Sequence, residues 1–225
     1  MARHGARMSA FLTQSSEYLP ILIKGLWLTI AVTTLALCLS TALGLVWALL
    51  RTSGVPMLAA PTRVFVELVR GVPILVILFY IYFVMPDFGI DLSAFQAGVI
   101  GLALTYSCYI GETFRAGIEA VDRGQVEAAK SIGMKRPLMM RRVILPQAFK
   151  IVLPPYGNNI VMLLKDSSQV SVISVAELTM QGKMLASSTF NNMTIFTLVA
   201  LLYLCLTVPL NIVMRQLELR LGKAR

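Results

Sequence analysis

This chain reads as an all-α integral membrane protein with five transmembrane helices, on three grounds. Of 225 residues, 57% are hydrophobic and only 14% are charged, against about 25% charged in soluble domains. The apolar residues gather in runs close to the roughly 20 residues that cross about 30 Å of hydrocarbon. Lys and Arg collect between alternate runs, as they do at a cytoplasmic membrane face.

Spans are expected over 25–50, 64–86, 92–112, 151–176 and 193–214. The first is free of charge and long enough alone. The second joins "GVPILVILFYIYFVMP" to the mostly apolar stretch before it, whose Arg63 and Arg70 can snorkel to the interface. The third is uninterrupted, the fourth carries Lys165 and Asp166, and the fifth lies in "MTIFTLVALLYLCLTVPLNIVM". No repeat, low-complexity tract or long linker divides the chain, so residues 1–225 read as one membrane domain.

Twenty Lys and Arg stand against eleven Asp and Glu, a formal charge of +9. A basic excess admits a nucleic-acid partner, but here the cations flank apolar runs, which excludes that class. The N-terminal run is too long for a cleaved signal peptide and reads as a retained first span. Cys38, Cys108 and Cys205 sit apart inside apolar runs and His4 is the one histidine, so neither a disulfide framework nor a metal site is expected.

Cation placement sets the orientation. Arg51, Arg63 and Arg70, then Arg123, Lys130, Lys135, Arg136, Arg141, Arg142 and Lys150, then Arg215, Arg220, Lys223 and Arg225 all fall on one side, the cytoplasmic one. The opposite loops are "DFGID" and the segment from Glu177 to Asn192. Five spans then put the N-terminus outside, where Arg3 and Arg7 are outnumbered, and the C-terminus inside.

Residues 117–150 are a basic, Pro-punctuated island among these runs. Asp122 and Gln125 have the spacing of a capping box, so a helix should start at about Arg123. Val126, Ala129 and Ile132, or Ala128 and Ile132, share a face of it, and Gly133 is a natural stop. Pro137 suits the first turn of a second short helix, and Pro146 ends that helix or bends the chain into the fourth span. The product is a helical hairpin on the cytoplasmic face with a small-residue patch at Ala128 and Ala129. A solvated surface linker is the plainer reading of the same composition.

The order of residues says more. Glu127, Ala128, Ala129, then Gly133, then Leu145 and Pro146 stand at the spacing of the EAA loop of ABC importer permeases, with Val143 where that family usually has Ile. "FVELVRGVPILVILFYIYFVMP" (65–86), "YIGETFRAGI" (109–118), "RGQVEAAKSIGM" (123–134) and "LLKDSSQVSVISVAELT" (163–179) extend the likeness over roughly residues 25–215. Together they resemble the polar amino-acid uptake subfamily, of histidine, glutamine, arginine or cystine type.

That resemblance implies a type I importer permease in a bacterial plasma (inner) membrane, working by alternating access. The EAA loop would be a coupling helix seated on a cytoplasmic ABC ATPase dimer, with contacts from Glu127, Ala128, Ala129 and Gly133 and support from Arg136, Arg141 and Arg142. It also implies a second permease subunit, the same or a sister chain, and an extracytoplasmic binding protein that delivers the amino acid. ATP and Mg would sit on the ATPase, and this chain would bind no cofactor.

The chain has no G-x-x-x-x-G-K-[ST] phosphate cradle, since "QGKM" at 181–184 lacks the first Gly and the Ser or Thr. No nucleophile and base pair can be assembled, so an enzyme is not expected and no residue is assigned a catalytic role. Lys165 and Asp166 are costly at membrane depth, about 3 kcal/mol each on insertion scales. Two readings stand: a structural pair or break orienting the fourth span, or contact with a zwitterionic substrate, joined by Ser167 and Gln169. Thr105, Tyr106 and Ser107 form a polar notch in the third span that could line the path. Glu112 and Arg115, three apart, read as a structural pair. An ion-driven secondary transporter using Lys165 and Asp166, or a membrane scaffold, are the rival classes.

Overall fold

The computed structural model describes residues 2–222, with side chains over 14–220. Arg3, Arg7, Lys223 and Arg225, used above for orientation, lie outside the described side chains. Every element among the described residues is helical. α1 runs Ala2–Thr52, α2 Pro56–Gly71, α3 Ile74–Phe79, α4 Ala94–Glu119, α5 Arg123–Ser131, α6 Arg136–Met139, α7 Leu145–Asp166, α8 Leu178–Thr189 and α9 Asn192–Gly222.

The expected second span is not one continuous helix. α2 ends at Gly71, and Val72 is extended (φ −97, ψ 132), because the residue before Pro73 is driven out of the helical region. α3 then widens into a π turn at Tyr80–Val84 and tightens into a 3₁₀ turn at Met85–Phe88. Within 151–176, the α-helix stops at Asp166 and continues as 3₁₀ turns over Ser167–Ile173.

Three described helices are long and apolar enough to cross a membrane, within α1, α4 and α9, and the bent pair α2 and α3 makes a fourth if taken as one span. α7 is not among them. Gln147, Lys150, Asn158, Asn159, Lys165 and Asp166 dilute its apolar character, so length and composition alone give three or four spans rather than five.

The chain forms two compact units. One gathers the residues up to Ala36 with Ile74–Leu102 and Leu163–Pro209. Its core packs Tyr18 and Leu22 of α1 against Leu178 and Ala186 of α8 and Ile195, Leu198 and Val199 of α9. Leu178, Gly182 and Ala186 are buried at intervals of four, the stripe of a helix with one face inward. A Cβ on Gly25 would come within 2.9 Å of the Leu178 Cα, so α1 touches α8 at a glycine.

The other unit gathers Leu37–Pro73, Ala103–Met162 and the residues from Leu210 onward. Here α1 and α4 meet glycine to glycine. A Cβ on Gly44 would lie 3.0 Å from the Gly111 nitrogen, and one on Gly111 3.1 Å from the Gly44 carbonyl. Small residues let membrane helices approach this closely, and close packing substitutes for a hydrophobic drive that lipid does not supply. Trp47 donates its indole N–H to Ser107 Oγ across 3.0 Å beside this contact.

Candidate functional site

The hairpin of α5 and α6 belongs to the second unit. Asp122 Oδ1 accepts the Gln125 N–H at 3.2 Å and caps α5, as the spacing predicts. Gly133 ends the helix in the left-handed region at φ +77, where a residue without Cβ is unstrained. Its N–H reaches the Lys130 carbonyl at 2.9 Å, and the Met134 N–H reaches that of Ala129 at 3.0 Å. These bonds satisfy carbonyls that the helix end leaves open. Pro137 stands in the first turn of α6, which widens into a π turn at Met140–Ile144. Pro146 does not end this helical stretch; it sits in the first turn of α7.

A small core holds the hairpin together. Val121, Ala129, Met139, Ile144 and Ala148 are buried, and Val126, Met134 and Val143 pack against them. Ala129 therefore faces inward, while Glu127, Ala128, Gly133, Arg141 and Arg142 are exposed. Ile132 does not join Val126 and Ala129 in the core. It is 76% exposed, because it is the capping residue at φ −91, ψ 17, where the helical face is already lost. Ala128 and Ile132, one turn apart, thus form an outward small and apolar pair.

Arg136 turns back instead of outward. Its guanidinium donates to the Thr52 carbonyl at the end of α1 and lies where a Cβ on Gly54 (φ +78) would be, at 2.7 Å. Deeper in the same unit, Glu112 is held by Arg51 from α1 and by Arg115 on its own helix, and Arg115 reaches on to Glu119. The Glu112 and Arg115 pairing read from their spacing is present, with Arg51 as a third member contributed by the fold.

The residues proposed for the substrate path fall in both units. Lys165 is exposed in the last turn of α7, and Asp166, half-buried, ends that helix just before the 3₁₀ segment. Ser167 is buried with its hydroxyl given to the Leu164 carbonyl at 2.8 Å, and Gln169 is half-buried. Tyr106 and Ser107 are buried in α4. Ser107 bonds both the Leu104 carbonyl (2.7 Å) and Trp47, so its hydroxyl is engaged in packing.

The segment from Glu177 to Asn192, expected as a loop, holds the helix α8, and a buried carboxylate stands at its start. Glu177 is fully buried and caps α8, accepting the Met180 N–H at 2.9 Å. Its other oxygen accepts the Tyr203 O–H at 2.9 Å and stands 3.2 Å from the Thr29 hydroxyl. Burial pushes its carboxyl above the usual carboxylate range, against the opposing pull of the Thr179 and Met180 N–H groups. The signal available was an acidic residue immediately before the four-residue stripe of Leu178, Gly182 and Ala186. Among the described residues, no group of three or more His, Cys, Asp or Glu is placed to hold a metal ion.

Comparison with known proteins bears on these features together. Residues 40–223 match the family described as Binding-protein-dependent transport system inner membrane component. A probable amino-acid ABC transporter permease protein y4tG of Sinorhizobium fredii is 37% identical over 205 residues, covering 91% of this chain and 89% of its own. A probable glutamine ABC transporter permease protein GlnM of Bacillus subtilis is 40% identical over 202 residues, covering 90% and 94%. A chain from the crystal structure of an amino acid ABC transporter with histidines superposes with a TM-score of 0.88 at 39% identity, covering 93% of this chain and 98% of that one. This chain belongs to the family of binding-protein-dependent transport system inner membrane components: it is an ABC importer permease, a transport subunit and not an enzyme.

Proposed function

We propose that this chain is the permease subunit of an ATP-driven importer that carries polar amino acids across the inner membrane, coupled through the α5–α6 hairpin to a separate ATPase. Two copies, or this chain and a sister permease, complete the pore. An ABC ATPase dimer binds on the cytoplasmic face, and an extracytoplasmic binding protein delivers the substrate. ATP and Mg belong to the ATPase. Five spans, with α7 as the fourth, place the N-terminus outside and the C-terminus in the cytoplasm.

The observation that carries this reading is the form of the hairpin. It is a capped, self-packed knob that buries Ala129 and presents Glu127, Ala128, Ile132 and Gly133. Exposed apolar and small groups on a rigid element suit a cleft in a partner. Arg141 and Arg142 flank it with charge. Arg136, tied to the end of α1, would act by holding the knob against that helix, so that ATPase closure at the hairpin moves α1 as well. Coupled motion of this kind is what alternating access requires.

Lys165 and Asp166, with Ser167 and Gln169 behind them, are the groups we assign to the substrate path. A zwitterion offers both signs of charge to them, and ionisable groups within membrane segments serve such paths. Tyr106 and Ser107 are given a supporting part through packing.

The deciding experiment is substrate-stimulated ATP hydrolysis by the co-purified complex in lipid, wild type against Gly133→Asp. Loss of ATPase binding or of stimulation in the variant supports the coupling role. If no ATPase co-purifies and proteoliposomes still carry flux, the importer reading fails and ion-driven transport through Lys165 and Asp166 takes its place.

A further inference from the structure

Two cavities in the unit that contains the hairpin meet at Ile118. The first, about 430 Å³, is almost wholly apolar and is lined by Leu45, Phe114, Phe149, Val152 and Tyr156. The second, about 580 Å³, is basic, lined by Arg51, Lys130 and Arg136 over Met134 and Met140. Glu119 also lines it, with its carboxylate held by Arg115, and Arg51 is held by Glu112. Lys130 is exposed, and Arg136 gives one of its two terminal nitrogens to the Thr52 carbonyl. These two are the cations best placed to receive an anion.

α1 connects the two chambers. Thr41 and Leu45 line the apolar one, and Leu49 and Thr52 line a further recess shared with Arg136. The four lie four, four and three residues apart, so they share one helix face. At 1.5 Å per residue, Thr41 to Thr52 spans roughly 16 Å. That is about half of a 30 Å hydrocarbon core, the depth of a single leaflet.

We propose that this groove binds an anionic phospholipid, its phosphate at Lys130 and Arg136 and one acyl chain along α1 as far as Tyr156. A free phosphate has no use for the apolar chamber. Basic recesses between membrane helices on the cytoplasmic side are suited to anionic headgroups. Assignment to the cytoplasmic leaflet rests on the coupling reading of the hairpin. The lipid would then bridge the hairpin to α1 and α4, the elements that the coupling motion must carry together.

The test is lipid retention, read by native mass spectrometry on the permease in its purified complex after exchange with equimolar phosphatidylglycerol and phosphatidylcholine. Wild type should retain phosphatidylglycerol over phosphatidylcholine by about tenfold or more, as expected for two cations near an anionic surface. Two variants attack opposite ends of the groove: Lys130→Gln with Arg136→Gln, and Leu45→Trp, which fills the apolar chamber. Both should lose that preference, and millimolar inorganic phosphate should not displace the lipid. Equal retention of the two lipids overturns the proposal, as does wild-type retention in either variant or displacement by phosphate. Loss of permease pairing in Leu45→Trp with retention unchanged makes the groove a protein interface, and also overturns it. Because lipid is read on the permease itself, loss of lipid retention and loss of ATPase co-purification are separate readouts.

Discussion

Tyr203 donates its phenolic O–H to Glu177 Oε2 across 2.9 Å and takes part in a second bond with the Thr179 hydroxyl at the same distance. The pair joins α9 to the start of α8, and Thr29 brings α1 to the same carboxylate at 3.2 Å. Among the described residues no cation pairs with Glu177, so neutral donors carry the whole burden of holding it in place. A buried acceptor that loses a donor bears a desolvation cost of about 1–3 kcal/mol. Tyr203→Phe, which removes the donor to Glu177 and the bond to Thr179 together, should therefore lower the thermal midpoint of the purified complex by several degrees. An unchanged midpoint would show that the two bonds of the Tyr203 hydroxyl contribute nothing.

The Glu177 carboxyl is raised by burial above its ordinary value of 4.5. For a raised acid the folded chain binds more protons than the unfolded one between the two values, so stability falls as pH rises through that window and is level above it. Wild type should melt at a lower temperature as pH climbs from about 4.5 to the folded-state value. Glu177→Gln should lack this component. Parallel melting curves for the two proteins across that range would reject the assignment.

The glycine contact between Gly44 and Gly111 leaves no room for a side chain. Gly44→Val places methyl groups where the Gly111 nitrogen and the Ser107 carbonyl already stand about 3 Å from a bare Cβ. Overpacking of this kind costs about 1–3 kcal/mol, read as loss of monodisperse protein on size exclusion. The control is Gly71→Ala, where a Cβ meets nothing within 4 Å, and which should behave as wild type.

The exposed pair on the hairpin predicts a docking defect separate from folding. Ile132→Asp alters no buried contact, yet a charge at the centre of an apolar contact should weaken ATPase association by tenfold or more, at about 2 kcal/mol for an anchor residue. Permease yield and melting should be unchanged. Association at wild-type affinity would mean that Ile132 lies outside the contact.

Asp166→Asn keeps the shape of its side chain and removes its charge. Uptake into proteoliposomes should fall while complex assembly and basal ATP hydrolysis persist. A fully active variant would make Asp166 a structural element at the end of α7.

Local chemistry along the chain accounts for several of these features. Apolar run lengths marked α1, α4 and α9 as membrane helices, the Asp122 and Gln125 spacing placed the start of α5, and Gly133 placed its end. The three-residue spacing of Glu112 and Arg115 foretold their pairing. Each depends on neighbours within one or two turns, so each is legible along the chain. The fold alone decided the rest. Ile132 stands outside the hairpin core because the helix had already unwound at its cap, and Arg136 reaches Thr52, 84 residues earlier in the chain. Glu177 is buried because Thr29 and Tyr203, 148 and 26 residues away, converge on it. Burial, pairing and cavities are made by side chains that are distant in sequence and close in space, and no local spacing records them.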